Sequence, residues 1–352
     1  MDLKPTRPVP RGTSHGFLSG RYKVEPEDFV VDEIPAYEPQ KHGEHLFLWI
    51  EKRGLSTIDL VDELGAALKV HPRSVGVAGL KDKQAVSRQW ISVHGVHDNN
   101  ARGLEGANWK VLHVTRHTNK LQMGHLRGNR FSITLRGTKD GDAEIARNAL
   151  LELQRIGVPN YFGEQRFGKR GANLQRGVEI LSGGAASLSR TMPRRVFGLC
   201  VAAVQSEIFN RVVMARLQAL GQLQKGDLAI LHRNHACFPI EDPVREQPRA
   251  DAFELSPSGP MHGPKMPDPI GEPKRIEDEA MAAIGIARDQ FVDLPFGFGA
   301  GERRPLRMPV ADATAEQAAP DAVTVSFTLP RGCFATSVLR ELLTESVWFA
   351  EE

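Results

Sequence analysis

The chain has 352 residues, 41% of them hydrophobic and 25% charged, with a formal net charge of +2. That length and balance suit a soluble protein of one large or two ordinary domains and exclude an intrinsically disordered chain. So small a net charge excludes a uniformly basic nucleic-acid binder, so any such site has to come from local clusters of cations.

Residues 1–16, with Pro5, Pro8 and Pro10, read as a loose arm. Phe29–Val31 reads as a short strand after the helix-breaking Pro26. His45–Glu51 is too apolar to alternate and suits a strand buried on both faces. Thr57 is placed to cap a helix carrying Ile58, Val61, Leu64 and Leu68. Next comes Gly76-Val77-Ala78-Gly79-Leu80-Lys81-Asp82-Lys83-Gln84-Ala85-Val86, a glycine-bearing turn with one acid between two lysines, followed by the β-prone Trp90–Val93. Taken alone, the turn is a solvated surface feature. Asn129–Arg136 alternates strictly, with Phe131, Ile133 and Leu135 on one face, and predicts a half-buried strand. A helix is expected from about Asp142, with Ile145, Ala149, Leu153 and Ile156 on one face and Gly157 as its stop.

Residues 157–176 read as a glycine-punctuated loop with Tyr161, Phe162 and Phe167 around Arg166. Val204, Ile208 and Val212 predict a helix over about 200–218. Nine prolines in 239–273 predict a surface loop without regular structure. Ala311–Asp321 reads as a connection, Val323–Leu329 alternates as a strand, and Val338, Leu339, Leu342 and Leu343 mark a short final helix. With strands at both ends and an irregular middle, the order suggests a discontinuous β-rich domain into which a second domain is inserted.

Cys200, Cys237 and Cys333 are far apart, which argues against a disulfide framework or a structural zinc site and fits a reducing compartment. There is no H-E-x-x-H among the twelve histidines, and neither glycine cluster satisfies a phosphate-loop pattern. No run approaches 18 apolar residues, and the N-terminus lacks a signal-peptide pattern, so a cytoplasmic location is expected. What recurs is aromatic residues beside cations: Phe29 after Lys23, Phe131 in Arg127-Gly128-Asn129-Arg130-Phe131, and Phe334 after Arg331-Gly332. Such pairs stack splayed-out bases and hold phosphates, although each phenylalanine alone is as well read as core.

Six blocks resemble the TruD family of tRNA pseudouridine synthases. They are Pro26-Glu27-Asp28-Phe29-Val30-Val31, Ala78–Val86, Gly124-His125-Leu126-Arg127-Gly128-Asn129-Arg130-Phe131, Val158–Gly168, Gln205-Ser206-Glu207-Ile208-Phe209-Asn210 and Gly332–Glu341. They occur in the family's order and span about 22–341; the proline-rich part of the middle is the most divergent. The resemblance implies an α+β fold: a pseudouridine-synthase core with a mixed, mostly antiparallel sheet, formed by 1–156 and 309–352, and an inserted α/β domain, 157–308, facing it across a cleft. It implies that Asp82 is the catalytic aspartate, that Phe29, Asn129 and Phe334 contact the target uridine, and that Lys23 and Phe131 belong to the site. The implied substrate is tRNA, at uridine 13 of the D arm. No membrane or obligate protein partner is indicated.

Uridine isomerisation breaks the C1′–N1 bond and makes a C1′–C5 bond, so neither a redox cofactor nor a metal is needed. A carboxylate can attack the ribose C1′ or the base C6, or it can remove the 2′-proton and give a glycal. Each role needs an ionised Asp82, which a cation within about 4–6 Å favours. Lys23 is expected to supply it, because Lys81 and Lys83, immediate neighbours on an extended turn, would point away. Arg127, Arg130, Arg166, Lys169, Arg170, Arg303 and Arg304 are candidate phosphate holders. The rival readings are an RNA-binding protein without chemistry and a uridine isomerase with another RNA target.

Overall fold

The computed structural model describes Pro5 and residues 10–344; half of the expected N-terminal arm lies outside the described residues. The chain divides into two compact units, His15–Gln154 with Val310–Glu352, and Arg155–Pro309 with the described part of Met1–Ser14.

The first unit is built on an eight-stranded sheet. In chain order its elements are β1 (Phe29–Pro35), β2 (His45–Arg53), α1 (Thr57–Leu68), β3 (Val75–Val77), β4 (Val86–His94), β5 (Trp109–His117), β6 (Leu126–Arg136), α2 (Asp142–Ile156), β7 (Ala311–Ala319), β8 (Ala322–Pro330) and α3 (Ala335–Leu342). The strand order is β7-β8-β6-β1-β4-β2-β5, with β3 paired to β4. β1 and β4 run parallel, and the other pairs are antiparallel. Alternation explains β6 and β8: Phe131, Ile133 and Leu135 are buried, as are Val323, Val325, Phe327 and Leu329.

The helix at 57–68 forms, but Ser56 caps it, accepting from the Asp59 amide at 3.1 Å. Its buried face is Leu60 and Leu64, packed against Leu46, Leu48, Ile50, Ile91 and Val93, whereas Ile58 is exposed. Thr57 is turned inward for another purpose, described below. Ala311–Ala319, expected as a connection, is an edge strand. Only Ala315 is buried along it and two register shifts interrupt it, so it carries no period-2 signal.

The second unit packs helices Ala172–Glu179, Ala185–Thr191, Arg194–Ala215, Pro243–Asp251 and Glu272–Ala282 with an antiparallel sheet of Leu228–Leu231, Cys237–Pro239, Leu255–Met261 and Glu302–Pro305. Arg194–Ala215 is long and apolar enough to cross a membrane, yet it is the core helix of this unit. Phe197, Cys200, Val204, Ile208 and Val212 are buried with Leu174, Phe291 and Leu306.

The proline-rich segment corrects the sequence reading in part: more than half of it lies in helices and a strand, while 262–271 has no regular structure, as expected. Pro243 and Pro273 stand in the first turns of helices, where an absent N–H is no loss. Asp242 caps the first of these helices, accepting from the Val244 and Arg245 amides at 3.1 Å. Leu255–Met261, with Pro257 and Pro260, is buried along its whole length. Leu255–Pro257 pairs with Leu228–Leu231 and Ser258–Met261 with Glu302–Pro305, the Pro257 carbonyl accepting from the Leu306 amide at 2.9 Å where the partners change. A strand paired along one ladder at a time tolerates residues that cannot donate.

Candidate active site

The turn around Asp82 leaves β3 and returns into β4. It begins where Gly76 passes the Leu121 carbonyl so closely that an added Cβ would lie 2.3 Å from that oxygen. The Ala78 carbonyl then accepts from the Gly124 amide at 2.7 Å. Lys81 turns inward: its amide donates to Thr57 Oγ1 at 2.8 Å, and its ammonium donates to Glu33 Oε2 at 2.6 Å. The side chains of both Lys81 and Glu33 are almost fully buried. Burial pushes the Glu33 carboxyl upward, opposed by the Lys81 ammonium and the Trp90 amide. Thr57 Oγ1 in turn donates to Gln89 Oε1 at 3.0 Å. The residue after Lys81 is therefore presented outward, and the Asp82 side chain is 59% exposed.

Lys23 meets it there. Its Nζ lies 2.9 Å from Asp82 Oδ2 and 4.4 Å from the centroid of the Phe29 ring. Lys23 has a left-handed backbone, φ 59°. Phe29, at the start of β1, is buried and packs against Tyr22 and, edge-on at 6.1 Å, against Phe131. Phe131 continues onto Phe327 at 5.5 Å. One run of contacts thus joins Asp82, Lys23, Phe29 and Phe131.

Asn129 lies two residues before Phe131 on β6, opposite Glu33 on β1 and Leu329 on β8. Its Oδ1 is buried without a hydrogen-bond partner. A buried amide oxygen calls for a hydrogen-bond partner, which water or a ligand can supply. Phe334 stands apart from the run, at the N-terminal cap of α3 with its ring exposed. Its loop is tied to β6 through the Arg331 amide, which donates to the Arg127 carbonyl at 2.9 Å.

The candidate phosphate holders divide. Arg127, Arg130, Lys169 and Arg170 are exposed. Arg303 is not available: it is buried in an ion pair with Glu277 at 2.7 Å. Arg166 and Arg304 lie over the Phe162 ring at 5.1 and 4.4 Å, bonded to Ser206 and Asn160.

Sequence reasoning missed Lys52, Glu33 and Thr57, which fix the turn from below. Lys52 Nζ donates to the main-chain carbonyls of Leu55 at 2.6 Å and Asp82 at 2.7 Å. The available signal was parity. Lys52 follows Leu46, Leu48 and Ile50, and Glu33 follows Phe29 and Val31, each on the buried side of its strand.

The family model described as tRNA pseudouridine synthase D (TruD) matches residues 12–188 and 185–342. The chain belongs to the TruD family. A tRNA pseudouridine synthase D from Geobacter metallireducens is 38% identical over 92% of this chain and 95% of its own length. One from a strain of Thermus thermophilus is 42% identical over 93% and 89%. The fold is that of a Methanosarcina mazei crystal structure assigned to TruD, with a TM-score of 0.83, 23% identity and 95% of each chain covered. The mixed, mostly antiparallel sheet and the second unit of helices and strands are thus the TruD architecture.

Proposed function

We propose that this chain isomerises uridine to pseudouridine at position 13 in the D arm of tRNA, with Asp82 as the reacting carboxylate. The observation that carries this reading is the Asp82–Lys23 pair, at 2.9 Å on an outward-facing turn anchored from within. Lys23 is paired with the carboxylate that would attack the sugar or remove the 2′-proton. Its exposure leaves a ribose free to reach it once the nucleotide is flipped out, a step that costs a few kcal/mol. Phe334 offers the exposed face for stacking, worth about 1–3 kcal/mol per base. Phe29 and Phe131 form the apolar wall under Lys23, and the open Asn129 oxygen accepts the uracil N3–H. We assign the catalytic domain to 15–154 with 310–352 and its insertion to 155–309; the described part of 1–14, expected with the catalytic domain, groups with the insertion. A tRNA substrate fits the cytoplasmic location expected from the sequence.

Incubation with unmodified tRNA, followed by carbodiimide and primer extension, tests the assignment. Pseudouridine at position 13 is the expected product. Product elsewhere would indicate another RNA target, and binding without product would indicate an RNA-binding protein without chemistry.

Replacing Lys23 by Met should slow turnover roughly 10- to 150-fold, the equivalent of losing one charge-assisted hydrogen bond of about 1.5–3 kcal/mol. Affinity for tRNA should change far less. Single-turnover rates beside filter-binding titrations check this, and a rate equal to that of the parent would remove Lys23 from the site.

A further inference from the structure

Lys52 is fully buried, on the apolar side of β2 and opposite Ser87 of β4. Its two hydrogen bonds go to main-chain carbonyls, not to a carboxylate. Lysine is almost never fully buried unless it is paired, and a buried ammonium served by neutral oxygens alone is unfavourable. A methionine of similar length would fill the same space without that penalty. Packing therefore does not account for a lysine here, whereas its bond to the carbonyl of Asp82 does.

We propose that Lys52 is a positioning residue of the reaction centre, its ammonium gripping the main chain of Asp82 from inside the sheet and supporting the carboxylate's negative charge from behind. This rests on Asp82 being the reacting carboxylate. Two cations then hold one residue from two directions: Lys23 takes Oδ2 from the segment before β1, and Lys52 takes the backbone from β2. The charged groups facing Lys52 are few. The Asp82 carboxylate favours its ammonium form and Lys81 opposes it, with Lys81 itself paired to Glu33 of β1. Leu55 and, across the ladder, Ser87 of β4 contribute only neutral groups. Burial is the largest influence and pushes the amine down to about 8.

The two consequences of that value run in opposite directions. A neutral amine still has two N–H groups for its two carbonyls, but the charge behind Asp82 is gone, so turnover falls as pH rises through about 8. Stability does not fall with it. Between about pH 8 and the ordinary lysine value near 10.4, the unfolded chain holds a proton that the folded chain has released, so the penalty that buried Lys52 places on folding shrinks across that window. A lysine that served packing alone would leave the rate untouched there.

The test uses the full chain and tRNA tritiated at uridine C5, whose tritium is released when C5 bonds to C1′. Single-turnover rates are followed from about pH 6.5 to 9.5, beside tRNA affinity and thermal melting. The parent should lose activity through about pH 8 while its melting temperature contributes no parallel fall. Lys52→Arg keeps the charge, and its alkaline fall near 8 should vanish. Lys52→Met should be slower roughly 10- to 100-fold at neutral pH, the scale of a small misplacement, with affinity within a few-fold. A Lys52→Met rate equal to that of the parent overturns the proposal. If that variant does not fold, a folded Lys52→Arg that keeps the same alkaline limb overturns it instead. Asp82→Asn run in parallel separates the two readings. If it turns over, the assignment of Asp82 fails. If it is inactive while Lys52→Met is normal, only the role of Lys52 fails.

Discussion

Asp82→Asn is expected to lower turnover by about four orders of magnitude or more while tRNA affinity stays within a few-fold. The amide has nearly the same shape, and the main-chain bond from Lys52 does not involve the side chain, so the turn should keep its course. What disappears is the anionic oxygen, without which neither attack on C1′ nor removal of the 2′-proton can proceed. Affinity should survive because phosphate contacts dominate RNA binding, and one short side chain at the flipped nucleotide adds little to them. Tritium release from C5 beside a binding titration separates the two effects. Retained release would end the case for Asp82, and lost binding would assign it to recognition instead.

The second large effect concerns stability. Replacing Lys81 by Met leaves the Glu33 carboxylate buried and unpaired, which should cost about 3–5 kcal/mol near neutral pH. The loss should depend on pH. Glu33 is already pushed upward by burial, and without Lys81 it goes further. In the variant, the folded chain binds a proton that the unfolded chain has released above the ordinary glutamate value of about 4.3. Stability therefore falls as pH rises from there, and at lower pH, with Glu33 neutral, most of the deficit should vanish. Denaturant titrations at several pH values, and the pair Lys81→Met with Glu33→Leu, check this. The double variant should recover much of the loss, because no charge remains in the interior.

The strands of the sheet unit were legible wherever only one face is buried. Val323–Leu329 and Asn129–Arg136 alternate because one side of each meets the core. Ala311–Ala319 was not legible, since an edge strand with nine residues and one buried side chain has no face to announce. The prolines of Leu255–Met261 argued for a loop because proline is normally excluded from paired strands, and a strand that changes partners midway escapes that exclusion. At helix 57–68, Ser56 and Thr57 are chemically equivalent caps. Only the position of Gln89 and the Lys81 amide shows which hydroxyl is needed elsewhere.

In the candidate site, the motif singled out Asp82, the proposed reacting carboxylate, but not the residues beneath it. Lys52 and Glu33 sit in runs read for their apolar content, where one polar residue looks like the end of a strand. Their partners are 30 and 48 positions away in sequence, so no local pattern could pair them. Arg303 failed in the opposite direction: an arginine beside glycines looked free, and a glutamate 26 positions earlier had already claimed it.

The left-handed backbone at Lys23 disfavours every residue but glycine, by about 1–2 kcal/mol for an ordinary side chain. It is imposed from both sides. Arg21 exchanges amide and carbonyl bonds with Arg136 at 2.8 and 2.9 Å, and the Glu25 amide is fixed to Asp28 Oδ2 at 3.0 Å. Glycine would relax this hinge and discard the ammonium together. At this one position, a mutational drift towards a more comfortable chain is expected to be a drift towards a slower one.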